Sequence, residues 1–274
     1  MKHRLAAAIF AAILLPGVVA TTAAPAAEPG DLSRWTAIRA EVFGTKPIDD
    51  GAAMLGLDTP TRAEDAAVVP ITIHALSGQE GDAAIKKMTL IVDENPSPVV
   101  AEFIPGKAMQ NATVSTRIRV NDYTNVRVVA ETAGGKLVMI SRYVKAAGGC
   151  SAPAGKDQKA ALARLGKMKM FAPEKVVLGQ PATFQILISH PNNSGLQFDQ
   201  MTRNYIPAHY IKFVEISYDE TPVLTINSQI SISEDPSFHF TFVPDHAGTL
   251  KVKAVDNKEA TFTSEFPVSP QTGS

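Results

Sequence analysis

The single cysteine, Cys150, is the residue whose type and neighbours most clearly suggest chemistry. One cysteine excludes a disulfide within the chain and any metal site built from several thiolates. Gly148 and Gly149 precede it and Ser151-Ala152-Pro153 follow, and these side chains are too small to bury a thiol. Since unreactive free cysteines are usually core residues, we predict that Cys150 is exposed and reactive.

Nearby lysines and the two glycines favour a thiol that acts from a mobile arm. Lys145, Lys156 and Lys159 would lower the thiol pKa from its usual value of about 8.5 and so raise the thiolate fraction. From Ala146 to Cys150 an extended chain reaches about 16–18 Å, enough to carry the sulfur into the cleft of a partner. The glycines keep this arm thin and flexible. An incidental linker cysteine is the alternative.

The histidines give a weaker signal. His190, His209, His239 and His246 all fall in the second half of the chain, but none has the i, i+2 or i, i+4 spacing of a preformed metal site. We therefore predict no metal ion and no cofactor. The sequence also lacks the motifs of serine hydrolases, zinc proteases, kinases and cytochromes, which argues against a conventional hydrolase, kinase or cytochrome. A metallochaperone that uses Cys150 with nearby histidines is a further alternative.

The first residues have the pattern of a secretory signal peptide. A basic start at residues 2–4 precedes the apolar run Leu5–Val19, and small residues with several possible cleavage positions follow between Ala20 and Ala27. We therefore assign residues 1–27 to a signal peptide and expect the mature protein in an oxidising compartment, the bacterial periplasm. No later segment is long enough to cross a membrane.

The charge balance excludes two classes of partner. Lysine and arginine number 26 against 27 aspartates and glutamates, which leaves a net charge of −1. A chain without a global positive field has little to hold a nucleic acid or an anionic bilayer. We therefore expect proteins as partners, and neither nucleic acid nor membrane.

A change of composition divides the mature chain into two domains. Residues 146–156 are small and contain glycine and proline, which predicts an exposed connector. A short helix is predicted next at Asp157–Leu165, ending at Gly166. We assign residues 28–145 to the first domain, 146–165 to the arm and linker, and 166–274 to the second domain. The apolar spacing over Asp31–Phe43 predicts one helix in the first domain, with Leu32, Trp35, Ile38 and Val42 facing the rest.

Short β-strands are predicted for the remainder of both domains. Each candidate alternates in polarity or is rich in β-branched residues, and each is bounded by Gly, Pro, Asn or Asp. Residues 133–136 (Ala-Gly-Gly-Lys) form a predicted hairpin turn. Many strands without intervening helices predict two antiparallel β-sandwiches. The candidates are Val68–Ala75, Lys87–Val92, Val99–Ile104, Val114–Val120, Val126–Glu131 and Leu137–Val144 in the first domain, and Lys175–Val177, Thr183–Ser189, Ile211–Tyr218, Thr221–Asn227, Ser237–Val243, Thr249–Asp256 and Glu259–Pro267 in the second.

The order of several short motifs resembles one family of proteins. In the first domain the motifs are Trp35, Phe43-Gly44, Val69-Pro70-Ile71, Asn95-Pro96-Ser97-Pro98, Val128-Val129-Ala130-Glu131, Val144-Lys145 and Gly148-Gly149-Cys150. In the second they are His190-Pro191, Gly195, Ile206-Pro207-Ala208-His209-Tyr210-Ile211, Pro236, Phe238-His239-Phe240, Gly248-Thr249-Leu250 and Val255-Asp256-Asn257. The first domain resembles SoxY, the sulfur-carrier subunit of the periplasmic Sox thiosulfate-oxidation system, and the second resembles its partner SoxZ.

The resemblance implies an all-β fold of two immunoglobulin-like sandwiches that pack on each other, with the short N-terminal helix in the first. It implies that Cys150 is the covalent attachment point for sulfur-containing intermediates and that Gly148 and Gly149 form a swinging arm. Oxidoreductases and hydrolases of a Sox-type system are the implied partners. The chain itself is implied to be a carrier and not an enzyme, with no catalytic residues. The family implies no role for the histidines.

The sequence departs from SoxY in three ways. Ser151-Ala152-Pro153 replace the trailing glycines, the chain continues into a second domain, and a twin-arginine signal is absent. As a fused carrier with a Gly-Gly-Cys-Ser arm, the chain is similar to the SoxYZ-like proteins associated with PQQ-dependent quinoprotein dehydrogenases. An accessory or docking subunit of such a dehydrogenase, with a different cargo or none, is therefore the alternative function.

Overall fold

The computed structural model describes residues 32–76, 80–109, 113–153 and 158–271. The predicted signal peptide, residues 1–27, lies outside these ranges. The described chain is mostly β-strand with a short N-terminal helix, which confirms the predicted all-β class. The elements are α1 (Leu32–Phe43), β1 (Ile48–Asp50), β2 (Leu55–Asp58), β3 (Val69–Ala75), β4 (Ile85–Val92), β5 (Val99–Pro105), β6 (Thr113–Ile118), β7 (Thr124–Thr132), β8 (Leu137–Val144), α2 (Gln158–Ala163), β9 (Met168–Phe171), β10 (Ala182–Ile188), β11 (Phe198–Asp199), β12 (Asn204–Tyr205), β13 (Ile211–Tyr218), β14 (Thr221–Ser228), β15 (Ser237–Phe242), β16 (Gly248–Asp256) and β17 (Thr261–Val268).

Both halves of the chain contribute to the same two sheets. One sheet has nine strands in the order β1-β8-β7-β4-β5-β14-β13-β16-β17, and the other has six in the order β2-β3-β6-β15-β10-β9. The halves meet where β5 pairs antiparallel with β14, from Ala101 opposite Ser228 to Pro105 opposite Leu224. They meet again where Val114 and Ser115 of β6 pair with β15. One hydrophobic core runs between the sheets through both halves.

The two predicted sandwiches are thus joined edge to edge. The second half supplies four strands to one sheet and three to the other, which is the strand count of an immunoglobulin-like sandwich. The first half supplies five and three. An edge strand exposes unpaired N–H and C=O groups, and pairing the edges of the two halves satisfies them. The two halves therefore share a hydrogen-bonded boundary as well as an apolar one.

Most predicted strands are present, with ends shifted by one or two residues. β8 and β13 have the predicted bounds, Leu137–Val144 and Ile211–Tyr218. The prediction was wrong at Lys175–Val177, where Val177 makes only an isolated bridge to Gln271. Strands β1, β2, β9, β11 and β12 were missed because each has two to four residues, too few for alternation to be recognised.

Helix α1 lies on the nine-stranded sheet and fixes one loop near the candidate site. Ile38 is buried against residues of β4, β7 and β8. Leu32 and Val42, which were predicted to face the sheet, are exposed instead. The Arg34 side chain donates a hydrogen bond to the main-chain carbonyl of Asn95 at 3.2 Å. The loop after β4 is thereby tied to the helix.

Helix α2 follows the arm segment and is shorter than predicted. It spans Gln158–Ala163, while the predicted first residue, Asp157, lies outside the described residues. Gly166, with φ +74°, follows the helix as expected and donates its N–H to the carbonyl of Ser189 at 2.8 Å. No helix in the described part of the chain has both the length and the apolar character to cross a membrane.

Candidate functional site

The arm that precedes the thiol is docked on the first half of the protein. The N–H groups of Gly148 and Gly149 donate to the carbonyls of Asn121 and Val120 at 2.8 and 2.9 Å. A Cβ atom at Gly149 would lie 2.0 Å from the carbonyl oxygen of Ala66, so a larger residue does not fit. Gly148 has open space around it but a φ of +82°, which favours glycine. The two glycines, predicted to give flexibility, are required here for docking.

Cys150 is buried, so the predicted exposure of the thiol is wrong. Its relative exposure is 0%, and the predicted exposed connector is closed over at this point. The cover comes from the second half of the chain, where the Ser194 hydroxyl donates to the carbonyl of Cys150 at 2.5 Å. The Gln197 side-chain amide donates to the carbonyl of Ala152 at 3.2 Å. The residues next to Cys150 in sequence are too small to cover the thiol, and residues distant in sequence cover it instead.

The thiol lies in a buried group of polar residues, here called the thiol cluster: Cys150, Arg119, Asn95, Ser231 and Ser194. Ser231 makes a side-chain hydrogen bond with the thiol. The Asn95 amide donates to the Ser231 hydroxyl at 2.9 Å and to the carbonyl of Arg119 at 2.8 Å. These residues come from both halves of the chain, so the sulfur sits at the boundary between them.

Arg119 brings a positive charge into the thiol cluster. Its side chain is buried, with 2% of the residue exposed. Nη1 donates to the carbonyl of Gly149 and Nη2 to the carbonyl of Asn192, both at 3.3 Å. Nε has no hydrogen-bond partner, and no carboxylate of the described residues forms an ion pair with this guanidinium. Arg119 therefore bridges the arm and the second half with part of its donor capacity unused.

The environment makes the thiol a weaker acid. Burial raises the pKa of Cys150 above its ordinary value, and the Arg119 guanidinium and the Ser231 hydrogen bond only partly oppose this effect. The expectation that lysines lower the thiol pKa is therefore wrong for the docked arm. The cation that acts on the sulfur is Arg119, which sequence reasoning missed, and Lys156 lies outside the described residues. When the arm is docked, the Cys150 thiol is protonated and shielded from solvent.

A second buried group, here called the histidine cluster, contains His190, His209 and Asp256. His209 Nε2 lies 2.8 Å from Asp256 Oδ2, and His190 Nε2 lies 3.7 Å from the same oxygen. The other carboxylate oxygen accepts the N–H groups of Lys258 and Ala260 at 2.8 and 2.9 Å. Burial raises the pKa of Asp256, but these hydrogen bonds outweigh it and hold the pKa below its ordinary value.

The histidine cluster has donor atoms close enough to hold a metal ion, since all three lie within 4.8 Å of one another. His190 Nδ1 accepts the N–H of Asn192 at 3.1 Å, so in a neutral ring the proton is on Nε2. Burial and the neighbouring His209 ring lower the pKa of His190 to about 4. His190 Nε2, one of the atoms that would bind an ion, thus carries the proton, and it lies 3.7 Å from Asp256 without a hydrogen-bond partner. His239 and His246 lie outside it.

Asn192 connects the two clusters. Its N–H donates to His190, its carbonyl accepts from Arg119, and its side-chain amide donates to the carbonyl of Ile232 at 3.0 Å. The φ of Asn192 is +45°, a left-handed conformation that asparagine tolerates better than most residues. The histidine cluster therefore fixes the loop that covers the arm. Asn192 and Ser194 carry no motif by themselves, so the sequence offered no signal for this role.

Family comparisons match the two halves separately. Residues 39–150 match the model described as "Sulfur oxidation protein SoxY", and residues 168–267 match "Sulphur oxidation protein SoxZ". The chain is a SoxY domain followed by a SoxZ domain. It belongs to the SoxY and SoxZ sulfur carriers, which are carrier proteins and not catalysts.

Several solved structures are similar to part or most of this chain. The sulfur carrier protein SoxY from Chlorobium limicola f thiosulfatophilum is 28% identical, covering 42% of this chain and 92% of its own, with a TM-score of 0.34. A superoxide reductase (neelaredoxin) from Ignicoccus hospitalis is 18% identical over 42% of this chain and 89% of its own, with a TM-score of 0.29. Fibronectin(III)-like modules of Clostridium thermocellum CbhA are 11% identical over 80% of this chain and 95% of their own, with a TM-score of 0.24. No curated protein matches the sequence.

Proposed function

We propose that Cys150 is the covalent carrier thiol of this fused SoxY–SoxZ protein, and that the buried arm is its resting position. The observation that supports this assignment most directly is the position of Cys150 at the end of the SoxY match. The SoxY match ends at Cys150, which is the only cysteine and lies at the boundary with the SoxZ domain. A sulfur-containing intermediate would ride on this sulfur while partner enzymes act on it.

The arm must leave its docked position for a partner to reach the thiol. Release breaks the hydrogen bonds made by the N–H groups of Gly148 and Gly149, by the carbonyl of Gly149 with Arg119 and by the carbonyl of Cys150 with Ser194. At about 0.5–1.5 kcal/mol net for each bond, release costs about 2–6 kcal/mol. A partner interface of ordinary size supplies free energy of this order. The swinging arm is therefore a docked segment that partners release.

Burial couples the reactivity of the thiol to its exposure. The thiolate is the nucleophile, and burial in the docked position raises the pKa of Cys150. Release removes this effect and returns the thiol to the ordinary acidity of an exposed cysteine. Since exposed thiolates are oxidised step by step in an oxidising compartment, the docked position protects the carrier between loading and delivery.

We propose the periplasm as the location, with residues 1–27 as a cleaved signal peptide. The two SoxY and SoxZ matches support membership of a Sox system, so its oxidoreductases and hydrolases are the proposed partners. We propose that residues 28–145 form the SoxY-like domain, residues 146–165 the arm with its linker, and residues 166–274 the SoxZ-like domain.

Intact-mass spectrometry of protein isolated from the periplasm tests the carrier assignment. We expect a mass increase on the wild-type chain that a reductant removes and that Cys150→Ser lacks. Protein from cells without the partner enzymes is the control, and it should carry the free thiol. An unmodified thiol under every growth condition would contradict the proposal.

The second candidate is a docking subunit of a PQQ-dependent quinoprotein dehydrogenase. The observation that favours it is the full burial of Cys150, because a binding module needs no accessible thiol. Dehydrogenase activity in strains that carry Cys150→Ser or lack the gene separates the two functions. Full activity with Cys150→Ser and loss of activity on deletion would support the docking subunit. Equal loss in both strains would support the carrier.

A further inference from the structure

We propose that Arg119 binds the negative charge of an anionic group on Cys150 when the loaded arm docks, and so selects anionic over neutral adducts. The inference rests on the proposed carrier function and names a residue that determines which cargo the docked arm retains. It predicts that the buried position shelters a sulfonate-bearing adduct better than an uncharged adduct of similar size.

Arg119 is a buried cation, and among the residues that the structure describes no carboxylate forms an ion pair with it. Buried charges in proteins are normally paired. Within the described part of the chain, the acceptors of this guanidinium are two main-chain carbonyls, both at 3.3 Å. Charge-assisted hydrogen bonds are usually about 2.7–2.9 Å long. Nε is left without a partner, while Asp65 and Glu234 act on the guanidinium only through space. The guanidinium therefore has donor capacity left for a stronger acceptor than the two carbonyls.

The position of Arg119 is fixed from both halves of the protein. Its main-chain N–H donates to the carbonyl of Ser231 at 2.7 Å, and its own carbonyl accepts from the Asn95 amide at 2.8 Å. Its Nη1 contacts the carbonyl of Gly149, the residue directly before the carrier cysteine. The cation is thus held beside the sulfur before any cargo arrives, which lowers the cost of binding an anion there.

The unloaded thiol does not use this charge. Burial raises the pKa of Cys150 although Arg119 opposes it, so the docked thiol is neutral and leaves the guanidinium uncompensated. A sulfonate on the same sulfur is anionic at any physiological pH, and its oxygens match the planar fork of a guanidinium. Docking a loaded arm therefore pairs a charge that docking an empty arm leaves unpaired.

Two chemically defined adducts test this inference. The Cys150 thiolate attacks an inner sulfur of tetrathionate, the central S–S bond breaks and thiosulfate leaves. The sulfur atom of Cys150 then carries the group –S–SO3⁻. Methyl methanethiosulfonate reacts in the same manner, methanesulfinate leaves, and the cysteine carries the neutral group –S–CH3. For each adduct we would measure the rate of removal by dithiothreitol in the folded protein and in urea, and the ratio gives a protection factor.

We expect the wild-type protection factor of the anionic adduct to exceed that of the neutral adduct by about tenfold. Arg119→Met should abolish this preference, and Arg119→Lys should keep part of it because it retains the charge but loses the fork. Arg117→Met is the matched control, since Arg117 is a half-buried neighbour on β6 that contacts the carbonyl of Asp235 instead. The control should leave the preference unchanged.

The outcomes separate this inference from the carrier function. Equal protection of the two adducts in the wild type would overturn the role of Arg119, and the carrier assignment would stand. A loss of protection in Arg119→Met that is the same for both adducts would show a purely structural role and would also overturn it. The expected result also requires that the neutral adduct keeps its protection in Arg119→Met. A general loss of docking would remove the protection of both adducts and is thereby distinguished from the loss of the charge alone. Absence of any adduct in the periplasm would count against the carrier function alone.

Discussion

The histidine cluster and the thiol cluster are both buried and polar, and both lie beside the loop that covers the arm. They differ in how fully the charged group of each cluster is hydrogen-bonded. In the histidine cluster the charged group, Asp256, accepts hydrogen bonds from His209, Lys258 and Ala260. His190 Nε2 lies 3.7 Å from the same carboxylate and has no hydrogen-bond partner of its own. In the thiol cluster the charged group, Arg119, has an unpartnered Nε, and no carboxylate of residues 32–76, 80–109, 113–153 or 158–271 forms an ion pair with it. A buried charge that is fully hydrogen-bonded stabilises one arrangement of its neighbours. A buried charge with an unused donor can accept a further, stronger hydrogen-bond partner.

The difference assigns separate tasks to the two clusters. The histidine cluster holds His190 and Asn192 and thereby places the loop with Ser194 over the arm. The thiol cluster receives an arm whose docking depends on a few hydrogen bonds and one close approach. Stability should therefore respond most to changes in the histidine cluster, and thiol accessibility most to changes at the arm.

The largest expected effect is on the free energy of unfolding when Asp256 is removed. Asp256→Ala should lower it by about 3–5 kcal/mol, because His209 and two main-chain N–H groups lose a buried acceptor. The matched control is Asp58→Ala, since Asp58 lies 2.7 Å from His74 but is exposed, and its loss should cost less than about 1 kcal/mol. Urea denaturation measures both. Equal costs would contradict a stabilising role for burial in the histidine cluster.

The pH dependence of unfolding should report His190. Its pKa is about 4 in the folded protein against 6.5 for an ordinary histidine, so above pH 6.5 both states are neutral and stability is unaffected. Between pH 6.5 and 4 the unfolded state binds a proton that the folded state does not. Stability should therefore fall by about 3 kcal/mol across this window as the pH decreases, with no further loss from His190 below it.

His190→Asn is the variant that isolates this contribution. Asparagine can keep an acceptor near the N–H of Asn192 but does not titrate. The loss of stability between pH 6.5 and 4 should then be smaller than in the wild type. The pKa of Asp256 is held below 3.8, so Asp256 titrates at lower pH and does not produce the same change. An identical pH profile in variant and wild type would refute the assignment.

At the arm, substitution of the two glycines should have unequal effects on thiol labelling. Gly149→Ala places a Cβ 2.0 Å from the carbonyl oxygen of Ala66, which expels the arm and should raise the rate of Cys150 alkylation at least tenfold. Alanine in Gly148→Ala would have to adopt a positive φ, which costs about 1 kcal/mol. This substitution should raise the rate of Cys150 alkylation about fivefold. A neutral iodoacetamide reagent at constant pH measures both rates. The reverse order would mean that close approach does not hold the arm.

The smallest expected effect comes from the cover. Ser194→Ala removes the hydroxyl that donates to the carbonyl of Cys150, a bond worth about 1 kcal/mol, and should raise the alkylation rate about threefold to fivefold. Ser151→Ala is the control, because the exposed Ser151 hydroxyl bonds only within the arm, to Gly148. Its effect should be less than twofold. Equal effects would show that the SoxZ domain does not restrain the arm.

Local patterns predicted the architecture better than the site. Alternation of apolar and polar residues placed β8 and β13 at their observed bounds, because successive side chains of a half-buried strand point to the covered and the exposed face in turn. The same reasoning failed for β9 and for the two-residue strands β11 and β12, which depend on pairing partners rather than on their own alternation. At the site, the sequence identified Cys150 and its glycines but neither Arg119 nor the covering residues.

By itself the sequence determined that one thiol follows two glycines between two β-rich domains, because these features depend only on residue type and order. The tertiary structure decided that this thiol is buried and that a cation lies beside it. Burial depends on Ser194, 44 residues away in sequence, and on an edge-to-edge pairing of sheets that brings Ser231 beside Arg119. Contacts of such long range leave no periodicity in the chain, so only the folded molecule shows them.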